Sequence, residues 1–300
     1  MITVFGSINL DYIGRVPRLP LPGETVTGSD LLVAPGGKGA NQALAAARAG
    51  RDVRLIGATG DDPAADVALK LLRQEGVDLR HVEVTDHHTG TALIQVDDAG
   101  ENSISVLPGA NALVTSKQLE QSRIDPGDIV LFQMELPLDE ICAAIQLGAD
   151  RGARIIANLA PFRHLPEEII KRIEVIVVNE AEARELVGYN TPNHDPEMYT
   201  EIKRLSKLYH IQIIQTLGSD GVVFFDADSH LHFPSFKVDV VDTVGAGDTF
   251  CGYLAAGLDQ HFSLEKSIEQ AIIAAGLACT TNGAQPSIPS NSDVISHNLG

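Results

Sequence analysis

Short apolar runs alternate with helix-length segments almost from end to end of this chain. The runs are Ile2–Phe5, Val53–Ile56, Ile129–Phe132, Arg154–Ala157, Val175–Val178, Ile211–Thr216 and Val222–Phe225. Between them lie segments that read as helices, among them Asn41–Ala49, Pro63–Glu75, Leu138–Arg151, Glu180–Leu186 and Met198–Tyr209. Gly50, Gly76, Gly152 and Gly188 follow four of these, the residue type favoured just past a helix end. Strand then helix, repeated, indicates βαβ units, hence an α/β protein with a mostly parallel sheet and helices on both faces.

Two stretches break the rhythm. Residues 12–33 are Pro- and Gly-punctuated around Pro20-Leu-Pro22-Gly23, and residues 89–107 hold two alternating runs around Asp97-Asp-Ala-Gly100, a hairpin signal. Both read as strands of a small β lid beside the main body; an ordinary edge hairpin is the alternative. Phe250–Leu258 and Leu264–Thr280 are Ala- and Gly-rich and read as two close-packed helices. With no repeat and no long linker, one domain of 300 residues with an excursion fits better than two independent domains.

Lys and Arg total 22 against 40 Asp and Glu, a net charge of −18. Such a chain is poorly suited to neutralising nucleic-acid phosphates or docking on an anionic membrane. A small anion remains possible, because clustered backbone N–H groups bind one whatever the global charge. Cys142, Cys251 and Cys279 are widely spaced and flanked by apolar residues, which reads as buried thiols in a reducing compartment. With no long apolar run and no basic-then-apolar start, the expected location is the cytoplasm. The histidines, including the doublet His87-His88, show no metal-site spacing.

The strongest chemical signal is Asp242-Thr-Val-Gly245-Ala246-Gly247-Asp248-Thr-Phe250, preceded by a β-like run, Lys237–Val241, and followed by a helix pattern. Successive N–H groups at such a glycine-rich helix mouth make an anion site. Asp248 beside it suits a general base for a hydroxyl attacking a phosphoryl group, or else a plain N-cap. In Gly36-Gly37-Lys38-Gly39-Ala-Asn41, a Lys opposes the helix dipole, so the segment reads either as a polar ligand site or as a simple Gly-rich turn. It is not a Walker A loop. Asn9 and Asp11 in Gly6-Ser-Ile-Asn9-Leu-Asp11 share a face if that strand continues, and an Asp can accept two adjacent sugar hydroxyls. Asn179 and Glu182 stand at a helix start, either facing phosphate and Mg²⁺-bound water or forming a cap. Glu135 and Asn158 follow strands at the same end of the sheet.

In order along the chain, these segments, with Pro22-Gly-Glu-Thr, Gly60-Asp-Asp, Gly109-Ala-Asn111, Gln133-Met-Glu135, Thr216-Leu-Gly-Ser and Gly283-Ala-Gln-Pro-Ser287, resemble the ribokinase-like (PfkB) carbohydrate kinase family. The resemblance implies a three-layer α/β/α sandwich with a β lid. It implies ATP-dependent phosphorylation of the 5-hydroxyl of D-ribose, with 2-deoxyribose or another small sugar or nucleoside as the alternative. A non-catalytic sugar sensor would instead be expected to have lost the base or the anion hole. By the same resemblance Asn9, Asp11, Gly37, Lys38, Asn41 and Glu135 would bind the furanose. Asp248 would take the hydroxyl proton, and Gly245, Ala246 and Gly247 would form the anion hole. Asn179, Glu182, Thr216 and Gly218 would serve ATP and Mg²⁺. Asp242, the Val244 carbonyl, the loop Cys279–Gly283 and Ser287 would hold an activating monovalent cation, usually K⁺. Ile94 and Ile104 would line the lid over the sugar, and the lid would pair with a second subunit in a homodimer. The chain departs from the family pattern at Leu159 in Asn158-Leu-Ala-Pro161 and at Val106-Leu-Pro108, both near the expected sugar.

Overall fold

The computed structural model describes residues 1–188 and 196–298. Two sheets carry its strands: β1 (Ile2–Phe5), β2 (Asn9–Arg15), β3 (Asp30–Gly36), β4 (Val53–Gly60), β5 (Asp78–Thr85), β6 (Gly90–Val96), β7 (Asn102–Leu107), β8 (Ile129–Phe132), β9 (Arg154–Asn158), β10 (Val175–Asn179), β11 (Gln212–Thr216), β12 (Val222–Phe225) and β13 (His230–Phe233). The large sheet has nine strands in the order β13-β12-β11-β10-β9-β8-β1-β4-β5, parallel except for the β12 and β13 edge. The small sheet has the order β3-β2-β6-β7.

Successive side chains of the large sheet enter opposite cores. Ile2, Val4, Ile129, Leu131, Val175 and Val177 face one layer, while Phe5, Val130, Phe132, Ile176 and Val178 face the other. A strand buried on both faces must be apolar at every position, which is why these strands read as unbroken runs. The first layer packs α1 (Lys38–Arg48), α2 (Pro63–Gln74), α8 (Ala246–Asp259), α9 (Leu264–Ala278), α10 (Ala284–Ser287) and α11 (Asn291–Asn298). The second packs α3 (Ser116–Glu120), α4 (Leu138–Asp150), α5 (Glu167–Ile170), α6 (Glu180–Val187) and α7 (Pro196–Tyr209). Helix on sheet on helix is the three-layer sandwich expected. Gly50, Gly76, Gly152 and Gly188 all have positive φ just past the helix ends, as their placement in the sequence predicts.

Three local expectations change. The runs Asp78–Thr85 and His230–Phe233 are strands, and both are edges of the large sheet. Lys237–Val241 is not a strand: Val241 N–H and Asp242 N–H both donate to the Cys279 carbonyl, at 2.8 and 3.2 Å, so the segment is docked on the loop after α9. Asn9 does not extend the first strand; the chain leaves the large sheet at Phe5 and opens the small sheet at Asn9. In that sheet β2 and β3 pair antiparallel, β6 and β7 form the expected hairpin, and β2 joins β6 in parallel.

Helices α1 and α8 approach unusually closely at Gly252. A Cβ on Gly252 would stand 2.5 Å from Ala45 Cβ and 2.6 Å from the Gln42 carbonyl oxygen. The contact is backbone-limited, so it cannot relax by a rotamer change. Gly252→Ala is expected to lower unfolding stability by about 1–3 kcal/mol through overpacking. A urea midpoint equal to that of the wild type would contradict this.

Candidate functional site

The amino ends of α1 and α8 converge where the carboxyl ends of β1, β8 and β9 meet the small sheet. Asp248 stands in the first turn of α8, after Gly245, which takes φ 79° as the residue before the helix. No side chain caps α8, so Asp248 is not an N-cap. Its carboxylate instead accepts from Asn41 Nδ2 at Oδ2, 2.8 Å, and from Gln42 Nε2 at Oδ1, 2.9 Å. Asn41 lies in the first turn of α1, and Gly37 precedes that helix with φ 88°. A Cβ on Gly245 would stand 2.8 Å from the Ala284 backbone, whereas one on Gly247 would meet nothing within 4 Å. The first is tight packing; the second is open space before the helix mouth. The Ala246 amide reaches the Thr243 carbonyl at 3.3 Å, while the amides of Gly247 and Asp248 find no backbone acceptor among the described residues. First-turn amides without acceptors, aimed at open space, suit an oxyanion.

Asn9 and Asp11 share one face of β2, as their spacing implied, and that face meets Asp248. Asn9 Oδ1 accepts from Asn111 Nδ2 at 2.8 Å. Asn111 is itself fixed by Ile8, whose N–H it accepts at 3.0 Å. Asp11 lies against Gly36, where any Cβ would collide with the carboxylate. Glu135, just beyond β8, accepts from the Ser7 hydroxyl at 2.5 Å and the Lys38 amide at 3.1 Å. Burial, then the negative charges of Glu135 and Asp248, push the Asp11 carboxyl up to about 7, against the opposing pull of Lys38. The Lys38 ammonium is held above its ordinary value chiefly by Asp248, with Glu135 and Glu182 adding to it. Two buried acceptors, Asp11 Oδ1 and Asn41 Oδ1, have no donor among the described residues. Such oxygens are costly unless a ligand brings hydroxyl or N–H donors to them.

Asn179 and Glu182 form a reciprocal cap at the start of α6. Glu182 N–H donates to Asn179 Oδ1 at 2.9 Å, and Asn179 N–H donates to Glu182 Oε2 at 2.8 Å. The cap does not remove Glu182 from the site: it is buried, and it feels both Lys38 and Asp248. Burial raises its carboxyl above the ordinary range. Thr216 is the register partner of Asn179, and Gly218 opens the 3₁₀ turn Gly218–Asp220 with φ 55°. The expected nucleotide-side residues therefore share one strand end.

The expected cation residues also converge. Asp242 accepts from Val244 N–H at 3.0 Å and Gly283 N–H at 2.8 Å, tying the loop before α8 to the loop before α10. The Ser287 hydroxyl donates to the Ala284 carbonyl at 2.8 Å. Carbonyl, hydroxyl and carboxylate oxygens suit a hard cation. The Val244 carbonyl and the Ser287 hydroxyl are oxygens of the kind that role needs. The Cys279 carbonyl fits it poorly, since it already accepts from two amides. In the small sheet Ile94 pairs directly with Ile13 and Ile104, on the same face as Asp11.

Residues 1–291 match the pfkB family carbohydrate kinases. The chain belongs to that family. It is therefore a phosphotransferase acting on a sugar hydroxyl. It is 35% identical over 301 residues to a ribokinase of Haemophilus influenzae, covering 98% of this chain and 97% of that one. It is 32% identical over 293 residues to a deoxyribokinase of Salmonella typhimurium, covering 96% and 95%. The solved structure of an Arabidopsis thaliana ribokinase complexed with ribose and ATP superposes with a TM-score of 0.87 at 28% identity, covering 98% and 97%.

Sequence reasoning missed Gln42, which holds the second oxygen of Asp248. Its one signal was adjacency to Asn41 in a helix whose first turn is polar. Asn111, the last residue of Gly109-Ala-Asn111, orients Asn9.

If sugar hydroxyls donate to Asp11, they favour its ionised form, so binding should release a proton near neutrality. With the free carboxyl titrating at about 7, sugar affinity should be nearly full at pH 8 and fall about tenfold by pH 6. Calorimetry in buffers of different ionisation enthalpy checks this; an affinity flat across that range would contradict it.

Proposed function

We propose that this chain transfers the γ-phosphoryl group of ATP to the 5-hydroxyl of D-ribose. The observation that carries the reading is the Asp248 carboxylate, clamped by two side-chain amides beside the acceptor-free amides of Gly247 and Asp248. The donor-hungry oxygens of Asp11 and Asn41 supply the complementary half: a polyhydroxylated ligand satisfies them, and an apolar one does not.

On this reading Asn9, Asp11, Gly37, Lys38, Asn41 and Glu135 seat the furanose. Asp248 takes the proton from the 5-hydroxyl as its oxygen bonds to the γ-phosphorus. The bond to the β–γ bridging oxygen breaks, and ADP leaves. Gly245, Ala246 and Gly247 meet the charge on the transferred group, and positioned donors of this kind supply most of the catalysis in phosphoryl transfer. Asn179, Thr216 and Gly218 serve the nucleotide. Mg²⁺, when bound with the nucleotide, neutralises phosphate charge, and Glu182 would orient its water. Potassium, when bound, would brace the Asp242 loop through Val244 and Ser287. The small sheet acts as the lid of one α/β domain, with Ile94 and Ile104 over the sugar, and excludes water that would compete for the phosphoryl group. Consumption of ATP fits a cytoplasmic location.

The unpartnered Asp11 oxygen favours ribose over 2-deoxyribose, because a deoxy sugar removes a donor from a buried acceptor. The first experiment is ATP turnover with Mg²⁺ over a sugar panel, with and without K⁺. Ribose should be fastest and K⁺-stimulated, and Asp248→Asn should lose about 10²–10⁴-fold in kcat. Absent turnover on every sugar, with sugar still bound, would overturn the kinase reading.

The far face of the small sheet is apolar and exposed: Leu31 is 64%, Val33 41%, Leu93 47% and Leu107 46% accessible. Patches of this kind mark interfaces, and a second copy laid on this face gives the proposed homodimer. Sedimentation should show a dimer for the wild type and a monomer for Leu93→Glu.

A further inference from the structure

We propose that Gln42, braced by Gln133 and Asn158, is a positioning residue that sets the orientation of the Asp248 carboxylate; the proposal rests on Asp248 acting as the base. Gln42 is fully buried, Gln133 is 1% exposed and Asn158 8%. Three primary amides in a protein interior are costly unless each has a definite partner. Here they form one directed chain. Asn158 Nδ2 donates to the Val177 carbonyl at 3.2 Å, which turns Asn158 Oδ1 towards Gln42. Gln42 Nε2 then donates one hydrogen to Asn158 Oδ1 at 3.2 Å and the other to Asp248 Oδ1 at 2.9 Å. Gln133 Nε2 donates to Gln42 Oε1 at 2.7 Å.

The orientation of the Gln42 amide is thereby fixed at its donor end by two acceptors, the Asp248 carboxylate and Asn158 Oδ1. Turned over, it would set an oxygen against the Asp248 carboxylate and a donor against the Gln133 amide. Asp248 and Asn158 impose this orientation, and Gln133 follows it. Its own Oε1 is packed on Gly6, where a Cβ would collide with it, and has no donor among the described residues. The clamp also divides labour on the carboxylate. Asn41 holds Oδ2 and keeps an oxygen free, which suits a group that also meets the substrate. Gln42 holds Oδ1 from the protein side and has no exposure of its own. It therefore acts on the substrate only through Asp248.

A residue that merely fills space would change stability and leave the kinetic pattern alone. The test is steady-state kinetics with D-ribose and ATP on the wild type, Gln42→Met, Gln42→Glu and Gln133→Met. Gln42→Met keeps the volume and removes the donor. It should lose about 30- to 300-fold in kcat, with KM for ribose within about threefold. Gln42→Glu should be slowest at pH 8, where two carboxylates face each other. It should gain as the pH falls to 6, when a shared proton restores a donor, and the wild type should show no such gain. Gln133→Met, which strips the donor from Gln42 Oε1 and loosens the brace on that amide, should lose about five- to tenfold in kcat at unchanged KM. A Gln42→Met kcat within threefold of the wild type would overturn the proposal. If Gln42→Met does not fold, Gln133→Met decides, and an unchanged kcat there would overturn it. A wild type without sugar-dependent turnover would fail the functional reading instead, and is seen before any variant is compared.

Discussion

A carboxylate removed from water needs new hydrogen-bond donors, and both donors to Asp248 come from one neighbouring helix. Consecutive helical residues point about 100° apart, so Asn41 and Gln42 can reach a single group only if that group lies very close to their helix. Gly252 permits this, since its missing Cβ lets α8 rest directly on Ala45 and the Gln42 carbonyl. The same closeness sets the first turn of α8, with its acceptor-free amides, beside the first turn of α1, with Lys38. Helix packing, the free first-turn amides and the clamped carboxylate are thus consequences of one interhelical contact.

Charge around that contact is arranged against the free site. Asp11, Glu135, Asp248 and Glu182 surround Lys38, and burial adds to their mutual repulsion at Asp11 and Glu182. A chain with a net charge of −18 repels a polyphosphate at long range. The conflict is resolved locally: amide dipoles at a helix mouth attract an anion over a few ångströms, while most of the surface charge is screened beyond about 8–10 Å. On the proposed reading, hydroxyl donors on the sugar relieve the carboxylates on one side, and the transferred phosphoryl group meets the helix mouth on the other.

Much of this was legible in the sequence because it depends on period and punctuation. Doubly buried parallel strands read as apolar runs, and helix ends read as glycines. Edge strands did not: β5 carries Asp78, Arg80 and Glu83 on a half-exposed edge, and β13 begins and centres on histidines. Neither resembles the strands of the sheet interior, because an edge needs no second apolar face. Lys237–Val241 looked like a strand and is not one, since the acceptor for its last amide lies some forty residues further on, at Cys279. The two readings of Asp248 could not be separated by spacing either. The choice was made by Asn41 and Gln42, more than 200 residues away in sequence. For Asn179 and Glu182 the cap is the arrangement observed, and it leaves Glu182 within the field of Lys38.

The small sheet follows from the same arithmetic of alternation. Asp11, Ile13 and, across the strands, Ile94 and Ile104 occupy one face, while Tyr12, Val33 and Leu93 occupy the other. A four-stranded sheet apolar on both faces cannot stand alone in water. On the proposed reading a sugar and the main body cover the inner face, and a second copy covers the outer one. A register slip of one residue would exchange Asp11 for Tyr12 and present the wrong side chains to both. The pairing of Asn9 with Gly36 and Gly90 fixes that register next to the site itself, where Asn111 holds the Asn9 side chain. Substrate recognition and subunit pairing, on the proposed reading, are therefore set by the same hydrogen-bonded ladder.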